Sequence, residues 1–477
     1  MNGNYETIIG LEVHVQLNTE SKIFCADSTY YGAAPNTLVS AISLAHPGTL
    51  PKLNEAVIPK AVRLGLALDA TINPRSTFDR KAYFYPDLPK GYQITQEKNP
   101  VLIGGKIELS DGHTIRIHHV HLEEDAGKSI HHLDPSKTLL DYNRAGTPLL
   151  EIVTEPDFRS GEQVEEFLHC LRQLIRYLDI SDGNMEQGSM RCDVNISIRE
   201  KGKEEYNARC EVKNVNSMKF AKQAIKYESN RQANIMEIGG VVSQNTLNFN
   251  PDTGITTPQR SKENAEGYQY FPEPDLPPIL ISEDYIKSIQ ENMPTLPWEL
   301  ERKIQEVYKI STADTKLIVA EKEVANYFMD YSSTFPHVKA FANLLIHQLI
   351  PFCKEKKMPI HELALKKPNI AELLTMVAEN KISASAAKQT LLPDMIFNPD
   401  IKPQTLAEKL GLLQSNDNDE LSVWIDQVIQ ENPDKVDAYK SGKKGLIGFF
   451  MGEIMKKSQG KANPKKTNKL LAEKLDA

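Results

Sequence analysis

Three stretches of the chain alternate apolar and polar residues with a period of two, the spacing of a strand that buries one face. In Ile8–Leu17 the apolar set is Leu11, Val13, Val15 and Leu17, set against Glu12, His14 and Gln16. In Met190–Ile198, Met190, Cys192, Val194, Ile196 and Ile198 oppose Arg191, Asp193, Asn195 and Ser197. In Ala208–Val215 the polar face carries Arg209, Glu211 and Lys213. The last two runs flank the polar stretch EKGKEEY and are expected to pair as a hairpin, bringing carboxylates and cations side by side. A helix is predicted after Ser160. Val164, Phe167, Leu168, Leu171, Leu174, Ile175 and Leu178 recur at helical spacing, Ser160 and Gln163 form a capping box, and Gly183 follows as a stop.

Beyond the proline-dense connector YQYFPEPDLPP (268–278) and Pro294, the pattern turns helical, punctuated at Ile350–Pro351, Lys367–Pro368 and Asn398–Pro403. The length of 477 residues implies two or three domains, and the pattern reads as three. The first, up to about residue 290, is α+β with an antiparallel sheet; an all-helical domain follows from roughly Pro294, and a second boundary around 405–415 leaves a small helical tail. In the tail, Gly442–Ser458 reads as a helix thinned on one side by Gly445, Gly448 and Gly452, a shape that permits close approach of another helix. Gly460 ends it, and Asn463 and Pro464 start the next.

Charge sharpens this division. The net charge is −8, yet between Lys440 and Ala477 ten lysines face only Glu453, Glu473 and Asp476. An acidic body with a basic end is the asymmetry of polyanion binding by that end. Lys443, Lys444, Lys456, Lys457, Lys461 and Lys465 flank the turn between the tail helices and are candidates for RNA phosphates; a solvated helical face is the plainer reading of the same residues. The five cysteines form no C-x-x-C and give neither a disulfide framework nor a thiolate metal signature. The first residues lack a basic segment followed by an apolar one, and no long apolar run exists. A cytoplasmic protein with no membrane partner is expected.

Two further acidic groups, Glu123–Asp125 in HLEEDAGK and Glu151 in GTPLLEIVTEPD, read as loop residues. Glu12, His14, Glu124, Glu151, Asp193 and Glu211 together form an oxygen-rich set with little nitrogen, which suits Mg²⁺ or Mn²⁺ better than zinc. The same alternation is also what a solvated sheet face looks like. The run FDRKAYFYPDLPKGYQITQ (78–96) interleaves Arg80, Lys81 and Lys90 with stackable rings, a composition suited to a nucleotide or an RNA end, or simply to a stiffened surface loop. A phosphate loop is excluded: HLEEDAGKS ends in Gly-Lys-Ser but has Leu122 where the first glycine is needed. No kinase set and no amidase-type serine loop occurs. If ammonia is used, another chain releases it.

With these motifs in order, GLEVHVQL, FDRKAYFYPDLPKGYQITQ, HLEEDAGKS, DYNRAGTPLLEIVTEPD, GSMRCDVNISI, EVKNVNSM and YFPEPDLPP, the sequence resembles the B subunits of aspartyl/glutamyl-tRNA(Asn/Gln) amidotransferase. Its end, GFFMGEIMKKSQGKANPKKTNKLL, resembles their YqeY-like domain. The resemblance implies a cradle-shaped catalytic domain. It also implies a heterotrimer in which the A subunit is a glutaminase (amidase) and the C subunit is small. Glu-tRNA(Gln) or Asp-tRNA(Asn) would be bound, its side-chain carboxylate phosphorylated by ATP with Mg²⁺, and the phosphate displaced by ammonia from the glutaminase.

By motif, His14, Glu124 and Glu151 match the family's Mg²⁺ ligands. Glu12, Asp193 and Glu211 match acidic positions for a second, ATP-linked ion or for the substrate, and Arg80, Lys81, Arg191 and Lys213 are candidates for phosphate contacts. Some members carry a four-cysteine zinc site near the N-terminus. Here Cys25 remains but the later position reads Ser40-Ala41-Ile42-Ser43, so no structural zinc is expected and packing must hold the loop. A noncatalytic tRNA-binding scaffold and a stand-alone metal-dependent hydrolase are the alternatives.

Overall fold

The computed structural model describes residues 4–131, 136–261, 268–414, 417–458 and 460–476. It divides into two compact units, Met1–Pro297 and Trp298–Ala477. The first is built on the strands β1 (Tyr5–Gln16), β2 (Thr114–Glu124), β3 (Pro148–Thr154), β4 (Met190–Glu200), β5 (Cys210–Val215), β6 (Asn245–Asn250) and β7 (Ile255–Ser261), with the helices α1 (Val57–Leu68), α2 (Gly161–Tyr177) and α3 (Met218–Glu237). The main sheet runs β7-β6-β5-β4-β1-β3-β2 and continues through the short strands Leu102–Ile103 and Thr71–Ile72. β1, among the earliest residues of the chain, lies in the middle.

The expected hairpin is present: β4 and β5 pair antiparallel, with Asn195 opposite Glu211. The sheet is mixed rather than purely antiparallel, because β5 and β6 run parallel. Parallel neighbours need a long crossover, and α3 supplies it. Period two explains the layering. Leu11, Val13 and Val15 of β1 and Met190, Cys192, Val194 and Ile196 of β4 join α1, α2 and α3 in one apolar core. The intervening polar residues are left on the opposite face.

α2 follows its pattern: Val164, Phe167, Leu168, Leu171, Leu174 and Ile175 are fully buried. Ser160 Oγ accepts the Gln163 N–H at 3.2 Å, but the Gln163 side chain reaches back to the Arg159 N–H rather than to Ser160, so the box closes one residue earlier than expected. A Cβ on Gly161 would lie 3.1 Å from the Cα and carbonyl oxygen of Lys222, so glycine is what lets α2 and α3 approach. Within α3, Glu228 is fully buried. It accepts hydrogen bonds from Arg231 (2.6 and 2.9 Å), Gln232 (2.9 Å) and Thr256 (2.8 Å), tying α3 to β7.

The loop after Cys25 is held by hydrogen bonds as well as by packing. The Asp27 carboxylate accepts from the Ser40 N–H at 2.9 Å, from the Cys25 thiol at 3.3 Å and from the Ser43 hydroxyl. Buried Lys22 donates to the carbonyls of Leu38 and Tyr142. Burial works against the Asp27 charge, but those three donors outweigh it and hold the carboxyl below its ordinary value of 3.8. Asp27→Ala is expected to cost about 1–3 kcal/mol at neutral pH. The folded form holds the proton less tightly than the unfolded one. The contribution is therefore complete above the ordinary carboxylate range and fades as pH falls below it. Urea unfolding of wild type and variant at pH 7 and pH 3 checks this: the gap between their midpoints should narrow at the lower pH.

The second unit is helical. Its helices Asn418–Glu431, Pro433–Lys440, Ile447–Lys457 and Pro464–Asp476 enclose a core of their own around Leu421, Ile425, Tyr439, Phe450, Ile454 and Leu471. The α-helix expected from Gly442 starts at Ile447, after a 3-10 turn over Lys444–Leu446. A Cβ on Gly445, Gly448 or Gly452 would meet nothing within 4 Å, so the thinned side faces open space rather than a neighbouring helix. Asn463 Oδ1 caps the last helix by accepting the Lys465 and Lys466 N–H groups.

Candidate active site

The polar face of the sheet gathers two sets of side chains. Register does this: His14 lies opposite Glu151 on β3 and Arg191 on β4, Glu12 lies opposite Asp193, and Glu151 lies opposite His121 on β2. Glu151 is therefore a strand residue, not a loop residue.

The first set is His14, His121, Glu123 and Glu151. His14 Nε2 lies 3.2 Å from Glu151 and 3.5 Å from Glu123, and His121 Nε2 lies 3.3 Å from Glu151 and 3.5 Å from Glu123. Burial disfavours charge on either imidazole, but Glu151 foremost outweighs it, raising His14 above its ordinary value and carrying His121 up to about 10. Glu151 is desolvated too, yet the two imidazoles hold it well below the usual carboxylate range. In the second set, Glu12, Asp193 and Glu211 offer carboxylate oxygens within 4.8 Å of one another. Lys213 bridges Glu211 at 3.0 Å and Asp193 at 3.3 Å. Burial and the carboxylates of Glu151, Asp193 and Glu211 push the Glu12 carboxyl up, against a hydrogen bond from Asn195.

The structure brings five of the six expected residues to this face and turns the sixth away. Glu124 receives the Ile94 N–H at 2.8 Å and the Lys90 ammonium, and it is Glu123 that joins His14 and Glu151. In a strand, adjacent side chains point to opposite faces, so only one of the two can reach His14. The reversal has a cause. Val153 pairs with His119 and Thr154 with Ile117, leaving His118 as a bulge in β2. Ile115 and Ile117 are buried before it, Val120 and Leu122 after it, and the bulge exchanges the faces. His121, Glu123 and Asp125 are side chains of this cluster that the expected set lacks; the H-x-H-x-E alternation from His119 to Glu123 is the signal that points to the first two. Buried Asp125 accepts from Gln16 at 2.9 Å and Arg191 at 2.6 Å.

Of the expected phosphate-binding cations, Arg191 and Lys213 border the two sets. Burial works against the Lys81 charge, but Glu123 foremost, then Tyr270 and Glu151, outweigh it and hold the ammonium charged. Arg80 is committed elsewhere, forming a two-pronged pair with Glu273 at 2.6 and 2.9 Å and a further bond to Asp275. The six tail lysines are all exposed, in the second unit; Lys444 pairs with Asp476 at 2.6 Å and Lys457 with Glu431.

The donors fit divalent cations. Each set presents three groups able to give one ligand atom apiece within 4.8 Å. His14 Nδ1 and His121 Nδ1 are buried without a partner, so neither imidazole is committed through its far nitrogen. An all-oxygen set beside an imidazole-containing one favours hard ions of the Mg²⁺ or Mn²⁺ class.

A family model described as the GatB/GatE catalytic domain matches residues 7–287, and one described as the GatB domain matches residues 326–475. The chain is 44% identical over 478 residues to the B subunit of aspartyl/glutamyl-tRNA(Asn/Gln) amidotransferase from Coxiella burnetii (strain CbuG_Q212), covering 99% of this chain and 100% of that one. It is 45% identical to the protein of that name from Thioalkalivibrio sulfidiphilus over 99% of each chain. The Salinibacter ruber protein is 42% identical, over 99% of this chain and 97% of its own.

Proposed function

Since this chain belongs to the family of aspartyl/glutamyl-tRNA(Asn/Gln) amidotransferase B subunits, we propose that the polar face of its sheet is where a tRNA-borne carboxylate is activated by ATP. The function of the family is tRNA-dependent amidation, and this chain is one component of such an enzyme. The observation that carries the reading is the juxtaposition of two carboxylate sets on neighbouring strands, one with two imidazoles, the other with a lysine.

The reaction needs this arrangement because a carboxylate has no adequate leaving group. Its oxygen bonds to the γ-phosphorus of ATP as the bond to the β,γ-bridging oxygen breaks and ADP leaves. Ammonia then bonds to the acyl carbon, phosphate departs and a proton is lost, leaving the amide. His14, Glu123 and Glu151 would hold one Mg²⁺, and Glu12, Asp193 and Glu211 a second. Bound there, the ions supply charge neutralisation between two anions that must meet. Lys213 and Lys81 add fixed positive charge on either side, and Arg191, oriented by Asp125, stands between the sets.

The wider assignment follows the same premise. An amidase partner, the A subunit, supplies the ammonia, and a small C subunit completes the heterotrimer. Residues 1–293 carry the chemistry, 294–407 form a helical domain, and 408–477 bind tRNA phosphates through Lys443, Lys444, Lys456, Lys457, Lys461 and Lys465. The substrate is Glu-tRNA(Gln), Asp-tRNA(Asn) or both, and the compartment is the cytoplasm. No helix among the described residues is long and apolar enough to cross a membrane.

The test supplies ammonium in place of glutamine to the chain purified with its partners. ADP release and Gln-tRNA(Gln) formation are followed in wild type and His14→Ala. Loss of both signals with aminoacyl-tRNA still bound places activation in this chain. Amidation at the wild-type rate would favour the scaffold reading, and turnover without tRNA the hydrolase.

A further inference from the structure

The bulge in β2 has a second effect besides exchanging its faces. A regular strand turns adjacent side chains to opposite sides. The extra residue instead brings His118 and His119 together, edge to face, with one Nδ1 2.7 Å from the other. At that distance one ring carries the hydrogen and the other accepts it. His119 also stacks on His121, with ring centroids 5.2 Å apart and planes 18° from parallel, and His121 reaches Glu151 of the first set.

Exposure falls along this file of imidazoles: His118 is exposed, His119 half-buried and His121 buried. The two bulge rings have no part in holding ions. Their contacts are with each other and, for His119, with His121. On the flanking strands His119 lies opposite Val153 and Ile103, neither of which can give or take a proton.

We propose that His119 and His118 form a relay that carries off the proton released when ammonia becomes an amide. The inference rests on the activation reading given above. Chemistry sets the need. Transfer of the γ-phosphoryl group to a carboxylate exchanges no proton. When the ammonia nitrogen then bonds to the acyl carbon, it turns cationic and must lose one before the amide stands. As that N–H bond breaks, its proton bonds to His119 Nε2. The Nδ1 proton of His119 crosses to His118 Nδ1, the Nε2 proton of His118 goes to water, and the C–O bond to phosphate breaks. The rings end in the opposite tautomers and exchange back with water between turnovers.

The setting of His119 suits a carrier rather than a store. Burial above all, then the neighbouring His121 and His118, bring its imidazole down to about 4, while the pull of Glu151 the other way is the smallest effect. The ring is therefore neutral at pH 7 and passes on what it takes.

The test separates the two half-reactions in the partner-bound enzyme. His119→Phe keeps a ring against His121 but carries no proton, and His118→Ala removes the exposed ring. ADP formed in one turnover from ATP and Glu-tRNA(Gln) without ammonium should stay within about twofold of wild type in both variants. With ammonium in weakly buffered solution, single-turnover amide formation should fall at least about 100-fold in His119→Phe and about tenfold in His118→Ala. Added imidazole should speed both variants, His118→Ala more, and leave wild type unchanged. A loss that is merely structural would slow ADP formation as well and would not answer to imidazole. Amide formation at the wild-type rate in both variants, or a loss that imidazole does not restore, overturns the relay. If His14→Ala meanwhile abolishes ADP formation, the activating site stands without the relay; if it does not, the functional reading itself has failed.

Discussion

Glu151→Gln in the assembled enzyme should lower the rate of ammonium-dependent amidation by about a thousandfold while leaving aminoacyl-tRNA binding intact. The expectation comes from position. Glu151 is the carboxylate nearest to both imidazoles, and they hold it ionised against its own burial. The amide is nearly the same size, so packing survives, but it offers no charge to a cation or to the two imidazoles. Glu123→Gln and Glu124→Gln refine the test. The first removes a group that faces His14; the second removes one that faces Lys90 and the Ile94 amide. Only Glu123→Gln should raise the Mg²⁺ concentration needed for half-maximal rate, by about 10–100-fold. Single-turnover rates over a magnesium series measure both effects. A Glu151→Gln enzyme within tenfold of wild type, or a magnesium shift that follows Glu124 instead, would remove the first set from the chemistry.

The second large effect is on stability. Glu228→Ala is expected to cost the first unit about 3–5 kcal/mol, because it strands the Arg231 guanidinium and removes the acceptor of Gln232 and Thr256. In scanning calorimetry the transition of that unit should fall by roughly 10 °C. The penalty belongs to leaving a partner behind. Glu228→Leu combined with Arg231→Met should therefore recover most of the loss, since apolar replacement of a buried pair is often neutral. A shift below about 2 °C for the single variant would mean that water enters and satisfies the arginine. The link to activity is indirect but definite: α3 is the crossover that sets β6 beside β5, the strand bearing Glu211.

How far the sequence carries this picture depends on strand regularity. β1 from Leu11 to Gln16 and β4 from Met190 to Ile198 alternate apolar and polar residues, so spacing assigns Glu12, His14, Arg191 and Asp193 to a shared polar face. Spacing cannot show which strands adjoin, and the placing of Glu151 between His14 and His121 is a property of register. The bulge at His118 conceals β2. Apolar residues shift from odd to even positions there, which breaks a period-two reading and gives the acidic pair the look of a loop. The expectation of Glu124 rather than Glu123 rests on a motif, which preserves order but not facing. The tail lysines are plain from composition, because clustered charge needs no register to be seen; their pairing with Asp476 and Glu431 is not.

The central place of β1 also bears on how the protein is made. Its residues leave the ribosome before those of either neighbour, carrying Ile9, Leu11, Val13 and Val15, and the two neighbours extend to Thr154 and Glu200. The entropy of closing so long a loop grows only slowly with length, but the wait does not shorten. Until both partners are synthesised, at least one hydrogen-bonding edge of an apolar strand stays open to other chains. A nascent chain stalled before residue 190 can complete neither the β4 pairing nor the second carboxylate set, and it presents one edge of this strand unpaired. Synthesis from β1 to the end of β4 is thus a period of exposure in which a holding chaperone would have its greatest effect on yield.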